Sequence, residues 1–197
     1  MKKCIVLLMA FLFGITKASA QDRADISLNG SVLAMNSATN SGITRGSSTT
    51  GGALASFRFW LTPRNGFEFN YGHARDTQTV TTTAGKTSLD SGVHEVSGAY
   101  VFRLTNASHV QPFFGAGVAL LQFNPAKNST LNPLPQSQNK PGVLYLAGFD
   151  YAFNRHISAR VQFRGLVFAA PSFMNETFRS NTMHQMSEPT FGFVYRF

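Results

Sequence analysis

The sequence predicts an all-β fold, an eight-stranded antiparallel transmembrane β-barrel wound as an up-and-down meander with long extracellular loops and short periplasmic turns. Three observations point to it. The chain closes on Phe191-Gly192-Phe193-Val194-Tyr195-Arg196-Phe197, with an aromatic residue at every second position, the pattern of a strand that shows one face to an apolar phase and the other to polar groups. It opens on a leader suited to export. Between the ends, alternating segments are joined in the order long, short, long, short, long, short, long, as in a barrel with both termini on one side of a membrane.

Met1-Lys2-Lys3 is a short basic start, residues 5–13 form an apolar run, and Ala18-Ser19-Ala20 is a small-residue cleavage site, the arrangement of a secretory signal peptide. Residues 1–20 are expected to be removed after Ala20, leaving one barrel domain over 21–197. The apolar run is shorter than the roughly 20 residues a membrane-crossing helix needs, and nothing later in the sequence reaches that length. Such a chain enters a bilayer only as a closed barrel, because closure leaves no backbone group unpaired in lipid. Cys4, the single cysteine, falls in the leader, so disulfides and cysteine metal ligands are not expected in the remainder. Loss of Lys2, Lys3 and Lys17 takes 17 basic residues to 14 against 9 acidic, a net of +5. For an exported chain the matching acidic partner is lipid phosphate, as in lipopolysaccharide, and not nucleic acid.

The elements follow in order from alternation. Segment 24–35 is the first. Segment 53–62 sets Phe57 and Phe59 on either side of Arg58, 66–75 sets Phe67, Phe69 and Tyr71 around Glu68, and 91–104 sets Tyr100 and Phe102 against Glu95 and Arg103. Segment 110–123 begins beside Pro112, and 143–153 sets Phe149, Tyr151 and Phe153 against Asp150. Segment 156–168 aligns Arg160, Gln162 and Arg164 on one face, and 186–197 ends the chain. Each supplies the roughly 9–11 residues of a tilted membrane strand. Leu61-Thr62-Pro63-Arg64-Asn65-Gly66, Thr105-Asn106-Ala107-Ser108-His109 and Asn154-Arg155 read as tight turns. The stretches 36–52, 76–90, 124–142 and 169–185 read as long polar loops. Pro189 falls inside the last segment and removes a ladder hydrogen bond, so a bulge or the first paired residue is expected there.

Three internal stretches, Val110-Gln111-Pro112-Phe113-Phe114-Gly115-Ala116-Gly117-Val118, Ala147-Gly148-Phe149-Asp150-Tyr151-Ala152-Phe153 and Ile157-Ser158-Ala159-Arg160-Val161-Gln162-Phe163-Arg164, together with the final strand, resemble the OmpA-type small outer-membrane barrel domains. The resemblance implies a porin-like fold and a place in the bacterial outer membrane, and hardly any chemistry. It also implies that the assembly machinery reads the last strand, here Phe191, Phe193, Tyr195 and Phe197. Members of that family often carry a second, peptidoglycan-binding domain; this chain stops at its last strand, so that activity is not expected.

With the aromatic parity outward, the opposite parity places Arg58, Glu68, Glu95, Arg103, Asp150, Arg160, Gln162, Arg164, Glu188 and Arg196 inside. An eight-stranded interior is just wide enough for side chains to fill it. Every strand cation is Arg, while Lys86, Lys127 and Lys140 fall in the long stretches; the guanidinium fork suits a buried carboxylate network because it pairs bidentately and stays charged. A soluble barrel with the aromatics inside explains neither the loop order nor the terminal Phe.

Catalysis by a hydroxyl nucleophile would need a base within reach. The candidates are His94 with Ser97, and His184 with Ser187 and Glu188, but each His and Ser differ in strand parity and so face opposite sides. His73, His109 and His156 show no ligand spacing. The sequence therefore predicts no catalytic residue, metal or cofactor. The long stretches, with Arg45, Lys86, Lys127, Lys140 and Arg179, suit contact with outer-leaflet phosphates or a surface partner. The expected function is a monomeric, plugged, non-enzymatic barrel serving envelope integrity or surface interaction. The alternatives are a minor channel or carrier for small solutes, which gaps beside Gly72, Gly115, Gly117 and Gly192 would favour, and a lipid A-modifying enzyme.

Overall fold

The computed structural model describes residues 23–35, 38–40, 43–47, 49–82, 85–105, 109–125, 136–169 and 183–197. The leader, the turn 106–108 and most of the stretches 124–142 and 169–185 lie outside them, as does Lys127. Among the described residues there are ten strands: β1 (Ala24–Met35), β2 (Ala38–Asn40), β3 (Ile43–Ser47), β4 (Thr50–Trp60), β5 (Asn65–Thr82), β6 (Gly85–Arg103), β7 (Val110–Pro125), β8 (Gln138–Ala152), β9 (Ile157–Ala169) and β10 (Met183–Arg196). All eight segments expected from alternation are among them. Each barrel strand pairs antiparallel with its neighbour in the order β1-β4-β5-β6-β7-β8-β9-β10, and β10 returns to β1 through Asp25↔Arg196 to Met35↔Met186. The barrel is thus a closed eight-stranded meander, with β2 and β3 outside the ring.

The tight turns are held by their own side chains. Thr62 Oγ1 accepts from the backbone N–H of Arg64 and Asn65, and Asn154 Oδ1 accepts from those of His156 and Ile157. Both termini leave from this end, where the Phe197 N–H donates to the Ala24 carbonyl.

Two of the expected loops are largely strand. The stretch 76–90 continues the β5–β6 hairpin out to Thr82↔Gly85, carrying Lys86 opposite Thr81, and 36–52 contains the β2–β3 ribbon, which pairs with β5 from Thr44↔Thr81 to Ser47↔Gln78. The Thr- and Val-rich run from Thr77 to Thr82 favours extended backbone while remaining polar, so the hairpin outlasts the apolar alternation that reports membrane contact. Lys140 likewise lies on β8, opposite Leu121. Pro189 produces neither a bulge nor a strand start. β10 begins six residues earlier, its register with β9 is unbroken through Pro189↔Phe163, and its ladder to β1 has a gap between Ser31↔Thr190 and Ala34↔Ser187 with no shift in register. The missing N–H is absorbed by skipped pairs.

Burial alternates along the strands. Phe69, Tyr71, Val96, Val118, Val143, Phe191, Phe193 and Tyr195 are all more than half exposed, while Phe57, Phe59 and Phe102 on the same parity are half-buried by their neighbours. The lumen is layered. On the side of the long connections Leu33, Leu121, Phe123, Leu144, Leu166, Phe168 and Met186 close it with apolar side chains, Phe123 and Phe168 meeting at 5.7 Å between ring centres. Beneath that layer the interior is ionic.

Candidate functional site

Register builds the ionic layer. Arg58 stands directly opposite Glu68, Asp150 opposite Arg160, and Glu188 opposite Arg164, all on the inward parity. Arg58 donates to Glu68 through Nε at 2.9 Å and also through Nη2. Arg160 grips Asp150 with both prongs of its fork, Nε to Oδ1 at 2.7 Å and Nη2 to Oδ2 at 3.0 Å, and reaches Asp25 at 3.1 Å. Arg196 donates to Gln111 at 2.9 Å and to Asp150 at 3.3 Å. Arg164 pairs with Glu188 beside it and with Glu95 across the lumen, and donates to Ser97 Oγ at 3.0 Å. Gln162, between Arg160 and Arg164 on the same face of β9, donates to Glu68 at 3.4 Å.

Among the described residues the buried charged side chains are five carboxylates and five guanidiniums. That balance lets the interior hold charge without a net field, and bidentate, hydrogen-bonded pairing is what offsets the cost of taking ions out of water. Aromatic faces complete the floor: Arg58 lies 4.2 Å over Phe113 and Arg103 lies 3.7 Å over Trp60, contacts that suit desolvated guanidiniums. Arg103 is therefore held mainly by stacking, whereas the other eight charged residues expected inside meet in the network.

Sequence reasoning missed Asp25, which accepts from Trp60 Nε1 at 2.8 Å as well as from Arg160. It also missed Ser27 and Asn29, both buried and inward, and named Ser97 only as a partner for His94. Asp25, Ser27, Asn29 and Ser31 alternate with Ile26, Leu28 and Val32, so parity along the first strand was the available signal.

Of the four glycines expected beside gaps, Gly115, Gly117 and Gly192 are closed off by neighbouring backbone, and Gly72 lines a small gap. A Cβ on Gly117 would collide with the Gly98 carbonyl and come 2.5 Å from Ala99 Cα, and one on Gly192 would collide with the Leu28 carbonyl. Gly115 approaches the Tyr100 carbonyl in the same way, and Gly72 is covered by Leu54 and Glu95. A cavity of about 10 Å3 remains between the layers, lined by Leu33, Gly72, Glu95, Leu121, Met186 and Glu188 among others, room for about one water.

The hydroxyl–imidazole pairs are split between faces. Ser97 points inward to Arg164 and Asn70, whereas His94 points outward, sharing a 3.0 Å hydrogen bond with the Tyr71 hydroxyl. His184 lies inward near Phe168, and Ser187 takes the opposite parity. His109 and His156 sit at the short-turn end, where each ring meets a backbone carbonyl, of Ala152 and Arg196 respectively.

A closed barrel with an apolar outer face and a charged interior matches the family model described as the outer membrane protein beta-barrel domain over residues 5–197. The chain belongs to that family. Membership places it in the bacterial outer membrane and explains the exposed aromatic belt, which would be a liability in water and is satisfied by lipid. No curated protein matches the chain in sequence. Among solved structures it is similar to the outer membrane protein OprG from Pseudomonas aeruginosa, at 16% identity and TM-score 0.65, covering 88% of this chain and 95% of that one. It is also similar to Neisserial surface protein A, at 15% identity and TM-score 0.64, covering 91% and 100%. Ail of Yersinia pestis, solved with a heparin analogue, is similar at 13% identity and TM-score 0.58, covering 89% and 98%. At these identities the likeness is one of fold.

Proposed function

We propose that this outer-membrane barrel is a plugged, non-enzymatic and monomeric protein whose role is envelope integrity or surface interaction through its extracellular ribbons and loops. The observation that carries this reading is how the described residues pack the lumen: an Arg–carboxylate network beneath an apolar layer, with a void of about 10 Å3 between them. In this reading the leader is removed after Ala20, the assembly machinery recognises Phe191, Phe193, Tyr195 and Phe197, and lipopolysaccharide surrounds the outer half.

A minor channel or carrier for small solutes is the second reading. The cavity beside Gly72, Glu95 and Glu188 favours it, because that is where the two layers leave room. Planar-bilayer conductance of the refolded barrel separates the two. The plugged reading expects no steady ohmic channel and only rare conducting events. A stable, ion-selective conductance in every inserted molecule would replace it with the channel reading.

A further inference from the structure

His73 and His94 are 21 positions apart in sequence, yet they stand directly opposite each other on β5 and β6. Both face outward. Their ring centres are 4.5 Å apart and the rings are tilted by 38° instead of lying flat on one another. They occupy the row where the lipid-facing surface turns polar. Phe67, Phe69 and Tyr71 precede His73 on β5, Val96 lies next to His94 on β6, and Leu120 precedes Gln122 on β7, all of them exposed. Gln122 is opposite His94 and continues the row. On β4 the position opposite His73 is Ala53, so among the described side chains the titratable or charged neighbours on this face are Tyr71 and, one outward step further along β5, Arg75. Gly92 lies beside the pair, and a Cβ there would make only ordinary contact, 3.9 Å from His73 Cε1.

We propose that His73 and His94 form a two-imidazole site for a borderline transition-metal dication, Cu(II), Ni(II) or Zn(II), at the outer rim of the barrel, with Tyr71 as a positioning residue. Imidazole nitrogens select these ions over Mg2+ and Ca2+, which prefer oxygen. The spacing fits. A metal about 2.0–2.1 Å from one nitrogen of each ring, with about 1.2 Å more to each ring centre, sets the centroids roughly 4.5 Å apart at a right angle and roughly 5 Å apart at a tetrahedral one. The Tyr71–His94 hydrogen bond occupies Nδ1 at 3.0 Å. Nε2 is then left as the metal-binding atom, and the Nδ1–H can donate to the Tyr71 oxygen, the outer contact that ligating histidines usually have. The Gln122 carbonyl oxygen and water can complete the coordination. The proposal is independent of whether the lumen is plugged.

The test uses barrel purified in detergent from outer membranes without a polyhistidine tag, titrated with Cu(II) by calorimetry and examined by electron paramagnetic resonance. One Cu(II) should bind with hyperfine structure from two imidazole nitrogens. His73→Ala and His94→Ala should each weaken binding by more than about tenfold, and Tyr71→Phe by about tenfold, the scale of losing an outer-shell partner. A His109→Ala/His156→Ala double variant should bind as wild type. All five side chains are outside the lumen, and heat-dependent electrophoretic mobility checks that each variant is folded. Absence of Cu(II) binding by the wild type would overturn the site, as would unchanged binding in the His73 and His94 variants or loss confined to the His109/His156 variant.

Discussion

Arg164 is the keystone whose removal tests the ionic layer most directly. It is fully buried, and its guanidinium holds Glu188 on the neighbouring strand, Glu95 across the lumen and the Ser97 hydroxyl. Arg164→Ala strips both carboxylates of their cation in one step and opens space next to the existing cavity. Breaking a buried ion pair by deleting one partner costs about 3–5 kcal/mol when desolvation is complete, and less where water enters. With the side chain fully buried and Glu188 only 3% exposed, the expected loss lies in that range. The assay is urea unfolding of the refolded barrel in lipid vesicles, paired with planar-bilayer recording. The midpoint should fall and conducting events should become more frequent. Arg164→Met combined with Glu95→Gln and Glu188→Gln should recover much of the stability, since removing all the charges removes the penalty for an unpaired one. Arg155→Ala in the exposed turn should change neither readout. If Arg164→Ala matches wild type in both, the pairs contribute nothing to the fold or to closure, and the plugged-lumen reasoning fails.

Gly117→Val should destabilise the barrel by at least about 1–3 kcal/mol, the usual cost of overpacking, because its Cβ would strike the Gly98 backbone; an unchanged urea midpoint would show that β6 and β7 are looser than their register implies. Deleting Phe197, which extends the exposed row Phe191, Phe193 and Tyr195, should lower outer-membrane levels and raise degradation in the periplasm, measured by fractionation. Unboiled barrel should migrate differently from boiled barrel in detergent electrophoresis and give a strand-rich circular dichroism spectrum, and identical mobility with a helical spectrum would contradict the closed sheet.

The membrane-facing half of the fold was legible because lipid imposes a two-residue period on every strand it touches. Phe67, Phe69 and Tyr71, or Phe191, Phe193 and Tyr195, announce their face with no knowledge of their neighbours. Where lipid ends, that signal ends too, so the polar ribbon through Thr77 and Thr82 read as loop although its backbone pairing continues to Thr82↔Gly85. The apolar layer was hidden for the opposite reason. Leu121, Leu144 and Leu166 are inward but sit beside the outward Leu120, Val143 and Val167, so the alternation flattens in that layer. Partners on other strands were hidden as well. Arg164 with Glu95, and His73 with His94, depend on register and curvature, which no single strand encodes.

Register itself is where the charges and the fold meet. Three of the ion pairs, Arg58 with Glu68, Asp150 with Arg160 and Arg164 with Glu188, join residues directly opposite on adjacent strands. A slip of one residue would turn every inward side chain on the shifted strand toward lipid. On β9 it would expose Arg160, Gln162 and Arg164 together, leave Glu95 and Glu188 without their cation, and take from Asp150 its bidentate partner. A slip of two residues would keep the faces but place Arg160 opposite Gly148 or Ala152 instead of Asp150. The aromatic belt permits either shift of two, since one lipid-facing aromatic is much like the next. The ionic layer does not. Its arginines and carboxylates therefore select one barrel from several that the outward pattern alone would allow, in line with the use of buried polar groups to specify register.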